Sequence, residues 1–171
     1  MRRTVLPIPL LIATLLAAAS PCGAADLPYA LTGRTAPDFA LHASKGPNVR
    51  LSEYRGDVVV LSFWGSRCGV CIGQLSALDR LQTTYRSAGL VTLAVNVDDN
   101  QVAAREFLAA LPQGFPLLMD PSKGVARSYR VDSLPMLLLI DRNGAVRHVH
   151  RDYHAGDEAG YLAQLKTLLD E

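Results

Sequence analysis

The apolar positions fall into a few dense runs separated by polar, Gly- and Pro-bearing stretches. Val58 to Trp64 (VVVLSFW), Val91 to Val97 (VTLAVNV) and Met136 to Ile140 (MLLLI) are almost continuously apolar, the pattern of strands buried on both faces. After Cys71, the residues Leu75, Leu78, Leu81 and Tyr85 recur at helical spacing, and Gly89 stops the run. Asn100 is placed to cap a second helix carrying Val102, Ala103, Phe107, Leu108 and Leu111, with Pro112 beyond it. Pro116 to Met119 predicts a short strand and Pro121 to Tyr129 a short helix. Asp141-Arg142-Asn143-Gly144 predicts a hairpin turn, since Asn-Gly is the strongest short hairpin signal, and Ala145 to His150 returns antiparallel. Tyr161, Leu162, Leu165, Leu168 and Leu169 mark a closing amphipathic helix.

Nearer the start, Phe39-Ala40-Leu41 and Val49-Arg50-Leu51 flank a Gly/Pro turn at 44–48, which predicts a hairpin. Ser52-Glu53-Tyr54-Arg55-Gly56 reads as one capped turn closed by glycine. Residues 26–35 show no period and read as a flexible lead-in. Strands alternating with helices imply crossover connections and a parallel core, with the last hairpin adding antiparallel strands at one side. The expected class is therefore α/β: a mixed central sheet flanked by helices, with an N-terminal hairpin.

The first 25 residues have a different character. Arg2 and Arg3 precede an apolar stretch from Val5 to Ala19, followed by the small residues of Ser20-Pro21-Cys22-Gly23-Ala24-Ala25. A basic start, an apolar middle and a small-residue end describe a secretory signal peptide cut after Ala25. The alternative, an uncleaved membrane anchor, is weakened by Pro7 and Pro9 and by a stretch short of the roughly 20 residues a spanning helix needs. Lipidation of Cys22 fits poorly with Pro21 before it and Ala19 three before it. The expected division is 1–25 signal, 26–35 lead-in and 36–171 one domain, exported to the periplasm.

That cut changes two counts. The chain of 171 residues carries 17 Lys+Arg against 16 Asp+Glu. Losing Arg2 and Arg3 takes the formal charge from +1 to −1, which offers no basic excess for a nucleic-acid backbone. Losing Cys22 leaves two of three cysteines, Cys68 and Cys71.

Cys68-Gly69-Val70-Cys71 stands where a buried strand enters a helix. The spacing lets the two sulfurs reach bonding distance, and a helix N-terminus favours a thiolate through its unpaired N–H groups and dipole. Half a zinc site is the first rival reading, but it needs two further ligands and no second Cys pair exists. A purely structural disulfide is the second, and closing so small a loop constrains the unfolded chain little. An exported setting permits disulfide chemistry.

With these residues in view, the chain resembles thioredoxin-fold proteins, specifically exported thiol–disulfide oxidoreductases of the TlpA/ResA type, over about 36–169. Ala36-Pro37-Asp38-Phe39, Leu51-Ser52-Glu53-Tyr54-Arg55-Gly56, Trp64-Gly65-Ser66-Arg67-Cys68-Gly69-Val70-Cys71 and Leu134-Pro135-Met136 are similar to that group's motifs. The resemblance implies a thioredoxin-like fold with an inserted helix, Cys68 as attacking thiol and Cys71 as resolving thiol. It implies that Pro135 is a cis-proline, leaving the backbone of Leu134 free to pair with a partner segment, and that Trp64 packs beside the disulfide. It further implies a disulfide- or thiol-bearing protein substrate, a membrane thiol-electron donor, a monomer, and no metal, flavin or nicotinamide cofactor. Cytochrome c maturation and copper-site thiols are the substrate settings it suggests.

Three positions depart from the group. Arg67 stands where a tryptophan is usual, and its guanidinium either favours a Cys68 thiolate or points to solvent. Gln74 replaces a glutamate thought to handle the proton of the buried thiol, and an amide carries none at neutral pH. Val70 replaces a proline between the cysteines. His148 and His150 share one face of a strand with His154 nearby, a weak metal signal read here as a solvated edge strand. Two rival functions remain. One is a copper-binding assembly factor, which usually spaces its cysteines by three residues. The other is a peroxidase of peroxiredoxin type, which places Thr where Gly65 stands.

Overall fold

The computed structural model describes residues 29–108 and 114–171. The leader with Cys22, and Leu111 and Pro112 of the second predicted helix, lie outside these residues. Strands β1 (Ala40–Ala43) and β2 (Val49–Arg50) form the first hairpin, followed by β3 (Val58–Trp64) and β4 (Leu90–Asn96). Then come β5 (Leu117–Met119), β6 (Met136–Ile140) and β7 (Val146–Arg151). The helices are α1 (Cys71–Tyr85), α2 (Gln101–Leu108), α3 (Gly124–Ser128) and α4 (Glu158–Asp170). All seven strands join in one sheet, ordered β2-β1-β5-β4-β3-β6-β7.

The apolar density of each run matches its place in that order. β3 lies inside the sheet, parallel to β4 and antiparallel to β6, and all seven of its residues are buried. β4 and β5 continue the parallel core, and β7 closes the far edge antiparallel to β6. Alternation along β3 sends Val58, Val60 and Trp64 to one face, where Leu75 and Leu78 of α1 and Tyr161, Leu165 and Leu168 of α4 cover them. Val59, Leu61 and Phe63 meet Phe39, Ala126 and Tyr129 on the other face. The inserted helix α2 joins the first of these cores through Ala104 and Phe107.

Three local expectations need correction. The lead-in is tied down over its described part: Gly33 donates to the carbonyl of Val146, Thr35 bridges Ala145, and Arg151 lies over the ring of Tyr29. The turn at Ser52 is capped from a distance. Asp38 accepts the Ser52 N–H at 3.0 Å, and the Ser52 hydroxyl itself donates to Asp38. By contrast, the hairpin turn expected at 141–144 does form, the Gly144 N–H donating to the Asp141 carbonyl at 2.8 Å. Of its residues only Gly144 has positive φ (79°), and Asp141 takes the N–H groups of Asn143 and Ala145. The short helix begins at Gly124, not Pro121, because the buried Asp120 carboxylate accepts the N–H groups of Gly124 and Ala126.

Candidate functional site

β3 delivers the chain to the site. After Trp64 it turns at Gly65, where the Cys68 N–H donates to the Gly65 carbonyl, and turns again as the Cys71 N–H donates to the Cys68 carbonyl. Cys71 then opens α1, so Cys68 sits in the turn before the helix and not within its first turn. The two cysteines form a disulfide with Cα atoms 5.4 Å apart. Cys71 is fully buried in the core beneath α1 and α4, whereas Cys68 is half-buried. No acidic residue occupies the first turn of α1, so nothing there opposes the positive end of its dipole.

The Leu134–Pro135 peptide is cis. Among the described residues, neither backbone group of Leu134 has a backbone partner. Gly65 brings this loop and the cysteine turn together: a Cβ at residue 65 would lie 3.2 Å from Leu134 Cδ1 and 3.1 Å from Asp98 Oδ1. Trp64 is completely buried and stacks on Phe107 of α2, ring centroids 5.2 Å apart.

A cleft of about 730 Å³ runs from Cys68 between the 97–100 loop, α3 and Leu134. Arg67 is exposed at its edge, with no ion-pair partner among the described residues. Val70 and Ile72, beside the disulfide, are 49% and 43% exposed, large values for apolar side chains in a molecule that buries most of its own.

Gln74 lies one helical turn after Cys71 and is fully buried. Ser62 donates to Gln74 Oε1 at 2.9 Å, and Gln74 Nε2 donates to the Tyr161 hydroxyl at 3.4 Å. Burial pushes the Tyr161 hydroxyl above its ordinary pKa. The position that holds a carboxylate in the resembled group is thus a neutral amide held from both sides.

β7 is the edge strand expected, but its two histidines are only partly solvated. His148 and His150 are half-buried, opposite Leu139 and Leu137 on the α4 side of the sheet. His150 Nε2 lies 2.7 Å from Gln164 of α4, and burial holds His148 below its ordinary pKa. Exposed His154 pairs with Asp157 at 3.7 Å. Among the described residues, no group of three or more His, Cys, Asp or Glu side chains is placed to hold a metal ion.

Sequence reasoning missed Asp98 and Asn96. Asn96 is an amide at a buried position of β4, and that polar interruption of an apolar run was the available signal. Asp98 Oδ2 accepts the Ser66 N–H and Asn96 Nδ2, each at 2.8 Å.

Residues 32–149 match the AhpC/TSA family. The thiol-disulfide oxidoreductase ResA of Geobacillus kaustophilus is 38% identical over 117 residues, covering 68% of this chain and 67% of that one. That of Bacillus subtilis is 32% identical over 114 residues, covering 67% and 64%. Among solved structures, a thiol:disulfide interchange protein DsbE from Chlorobium tepidum superimposes with a TM-score of 0.78 at 36% identity, covering 81% of this chain and 97% of that one. A Cys-x-x-Cys disulfide at the mouth of a cleft, beside a cis-proline on this fold, agrees with what those relatives are named for: the chain belongs to the AhpC/TSA family and is a thiol–disulfide oxidoreductase of thioredoxin-like fold.

Proposed function

We propose that the protein works outside the cytoplasm as a disulfide reductase, with Cys68 as the attacking thiol and Cys71 as the resolving thiol. The observation that carries this reading is the asymmetry of the pair: Cys68 borders an open cleft while Cys71 has no exposed surface. A protein substrate can touch only the first sulfur.

The Cys68 thiolate attacks one sulfur of a substrate disulfide. A Cys68–substrate bond forms, and the other substrate sulfur leaves as a thiolate that takes up a proton. Cys71 then gives up its proton and attacks Cys68 Sγ, expelling the second substrate thiolate. Two electrons have passed to the substrate and the Cys68–Cys71 disulfide has closed. A membrane thiol donor returns the pair to the dithiol. The unpaired backbone of Leu134 suits an extended substrate segment lying beside the sulfurs. Cysteines of apocytochrome c or of a copper site are the substrate class favoured by the resemblance to ResA-type proteins.

Export rests on the basic-apolar-small pattern of residues 1–25. No helix among the described residues is long and apolar enough to cross a membrane.

The test combines turnover and trapping. The protein should reduce insulin disulfides, and Cys68→Ser should abolish this. Cys71→Ser, expressed with its leader, should accumulate mixed disulfides on Cys68 that identify substrate and donor. Equal insulin reduction by Cys68→Ser and the parent would remove Cys68 from the mechanism.

A further inference from the structure

We propose that Asp98 is a positioning residue for Cys68, and that its negative charge holds the protein toward the reducing end of its range. The proposal rests on the reading of Cys68 as the attacking thiol.

Four observations converge on this carboxylate. It holds the cysteine turn: a single oxygen, Oδ2, accepts the Ser66 N–H and the Asn96 side-chain amide, and Asn96 in turn accepts the Asp98 N–H at 3.1 Å. Asn96 is 1% exposed at the end of β4, so the bracket is anchored in the sheet. The bracketed turn is the one whose Gly65 carbonyl receives the Cys68 N–H. The second oxygen, Oδ1, has no hydrogen-bond donor among the described residues. It lies against Gly65, within the cleft that Cys68 borders.

The other charges along the cleft are differently engaged. Asp99 pairs with Lys123 at 3.0 Å, Asp132 pairs with Arg151 at 3.3 Å, and Arg127 donates to the Ser122 carbonyl. Arg67 and Asp98 line the cleft that Cys68 borders and carry opposite signs, Arg67 exposed and Asp98 half-buried. Water screens the exposed guanidinium more fully than the partly buried carboxylate. A like charge disfavours a neighbouring thiolate, and a less stable thiolate makes the dithiol a better reductant.

The two roles separate by substitution. Asp98→Asn keeps an oxygen able to accept both N–H groups and removes only the charge. Asp98→Ala removes both. For each variant and the parent, the thiolate pKa of Cys68 is read by ultraviolet absorbance. The equilibrium of protein dithiol plus glutathione disulfide with protein disulfide plus two glutathione thiols is measured alongside. In Asp98→Asn the Cys68 pKa should fall by about half a unit to one unit, and the equilibrium, measured at a pH above the parent's Cys68 pKa, should move about threefold to tenfold toward the protein dithiol. Asp98→Ala should show the same change and also reduce substrate more slowly, because the turn is no longer held. Unchanged pKa and unchanged glutathione equilibrium in Asp98→Asn overturn the charge role. Wild-type exchange rates in Asp98→Ala overturn the positioning role. Loss of insulin reduction in the parent would count against the reductase reading instead, since the pKa comparison does not depend on the direction of electron flow.

Discussion

Gln74 shows how one residue decides what a buried site can do with a proton. Its side chain is held on one side by the Ser62 hydroxyl and on the other by Tyr161, with no exposed surface. An amide there satisfies its neighbours without ionising, so in the mechanism proposed above it cannot take the proton that Cys71 gives up. Replacing it by Gln74→Glu would bury a carboxyl, and desolvation raises the pKa of a buried acid. The sign follows. A carboxyl with a folded pKa above its unfolded value of about 4.3 costs nothing in acid and destabilises progressively as pH rises toward the folded value. Gln74→Glu should therefore match the parent near pH 4 and be about 2 kcal/mol less stable at pH 7, where the cost of ionising a carboxyl without water is fully felt. Denaturant midpoints across that range check it, and parallel profiles for the two proteins would refute it. The sequence showed the glutamine and its departure from the resembled group. It could not show that Ser62 and Tyr161, 12 and 87 residues away along the chain, would hold it neutral.

At the scale of elements, the joint between α1 and α4 carries a pH signature. Tyr153 packs on the first turn of α1, where a Cβ on Gly73 would lie 3.1 Å from its ring, and its hydroxyl donates to Glu158 at the start of α4. Burial, then the hydrogen bond to Glu158, pushes the Tyr153 pKa up to about 12, and the same bond holds Glu158 below the usual carboxylate range. Glu158 thus contributes stability that is present above about pH 4.3 and lost as pH falls through its lower folded value. Tyr153 contributes stability that is present below about pH 10 and lost as pH rises toward 12. Tyr153→Phe should flatten both limbs of the stability profile and cost about 1 kcal/mol between them. An unaltered acid limb in Tyr153→Phe would show that Glu158 is held by other groups. The elements themselves were legible because β3, β4, β6, α1 and α4 each carry an apolar pattern of the right period. Their ends were less so. The start of α3 is fixed by Asp120, and the turn at Ser52 by Asp38, through contacts that leave no periodic trace.

Over the whole molecule, the chemistry and the stability sit at opposite ends of the sheet. Cys68, Leu134 and Asp98 gather where β3 and β4 end and β6 begins. Arg142, in the turn after β6, lies at the other end. Its guanidinium donates to the carbonyls of Gly56, Ala88 and Leu169, closing the approach to β3, the turn before β4 and the end of α4 with one side chain. Leu169 and Ala88 end helical segments, where carbonyls lack partners and a cation is favoured by the dipole. A motif search sees only the turn residue, because the carbonyls it serves lie 86, 54 and 27 residues away. Arg142→Ala leaves all three carbonyls to water while the backbone bond from the Gly56 N–H to the residue 142 carbonyl remains, so it should cost about 2 kcal/mol, beyond the usual range for a surface change. The denaturant midpoint should fall with an unchanged slope, since the folded core still unfolds as one unit. The Cys68 pKa and the glutathione equilibrium should not move, because no element of the cysteine turn touches Arg142. If Arg142→Ala changes the Cys68 pKa as Asp98→Asn is expected to, the two ends are coupled through β3, and the charge assigned to Asp98 cannot be the only lever on the thiolate.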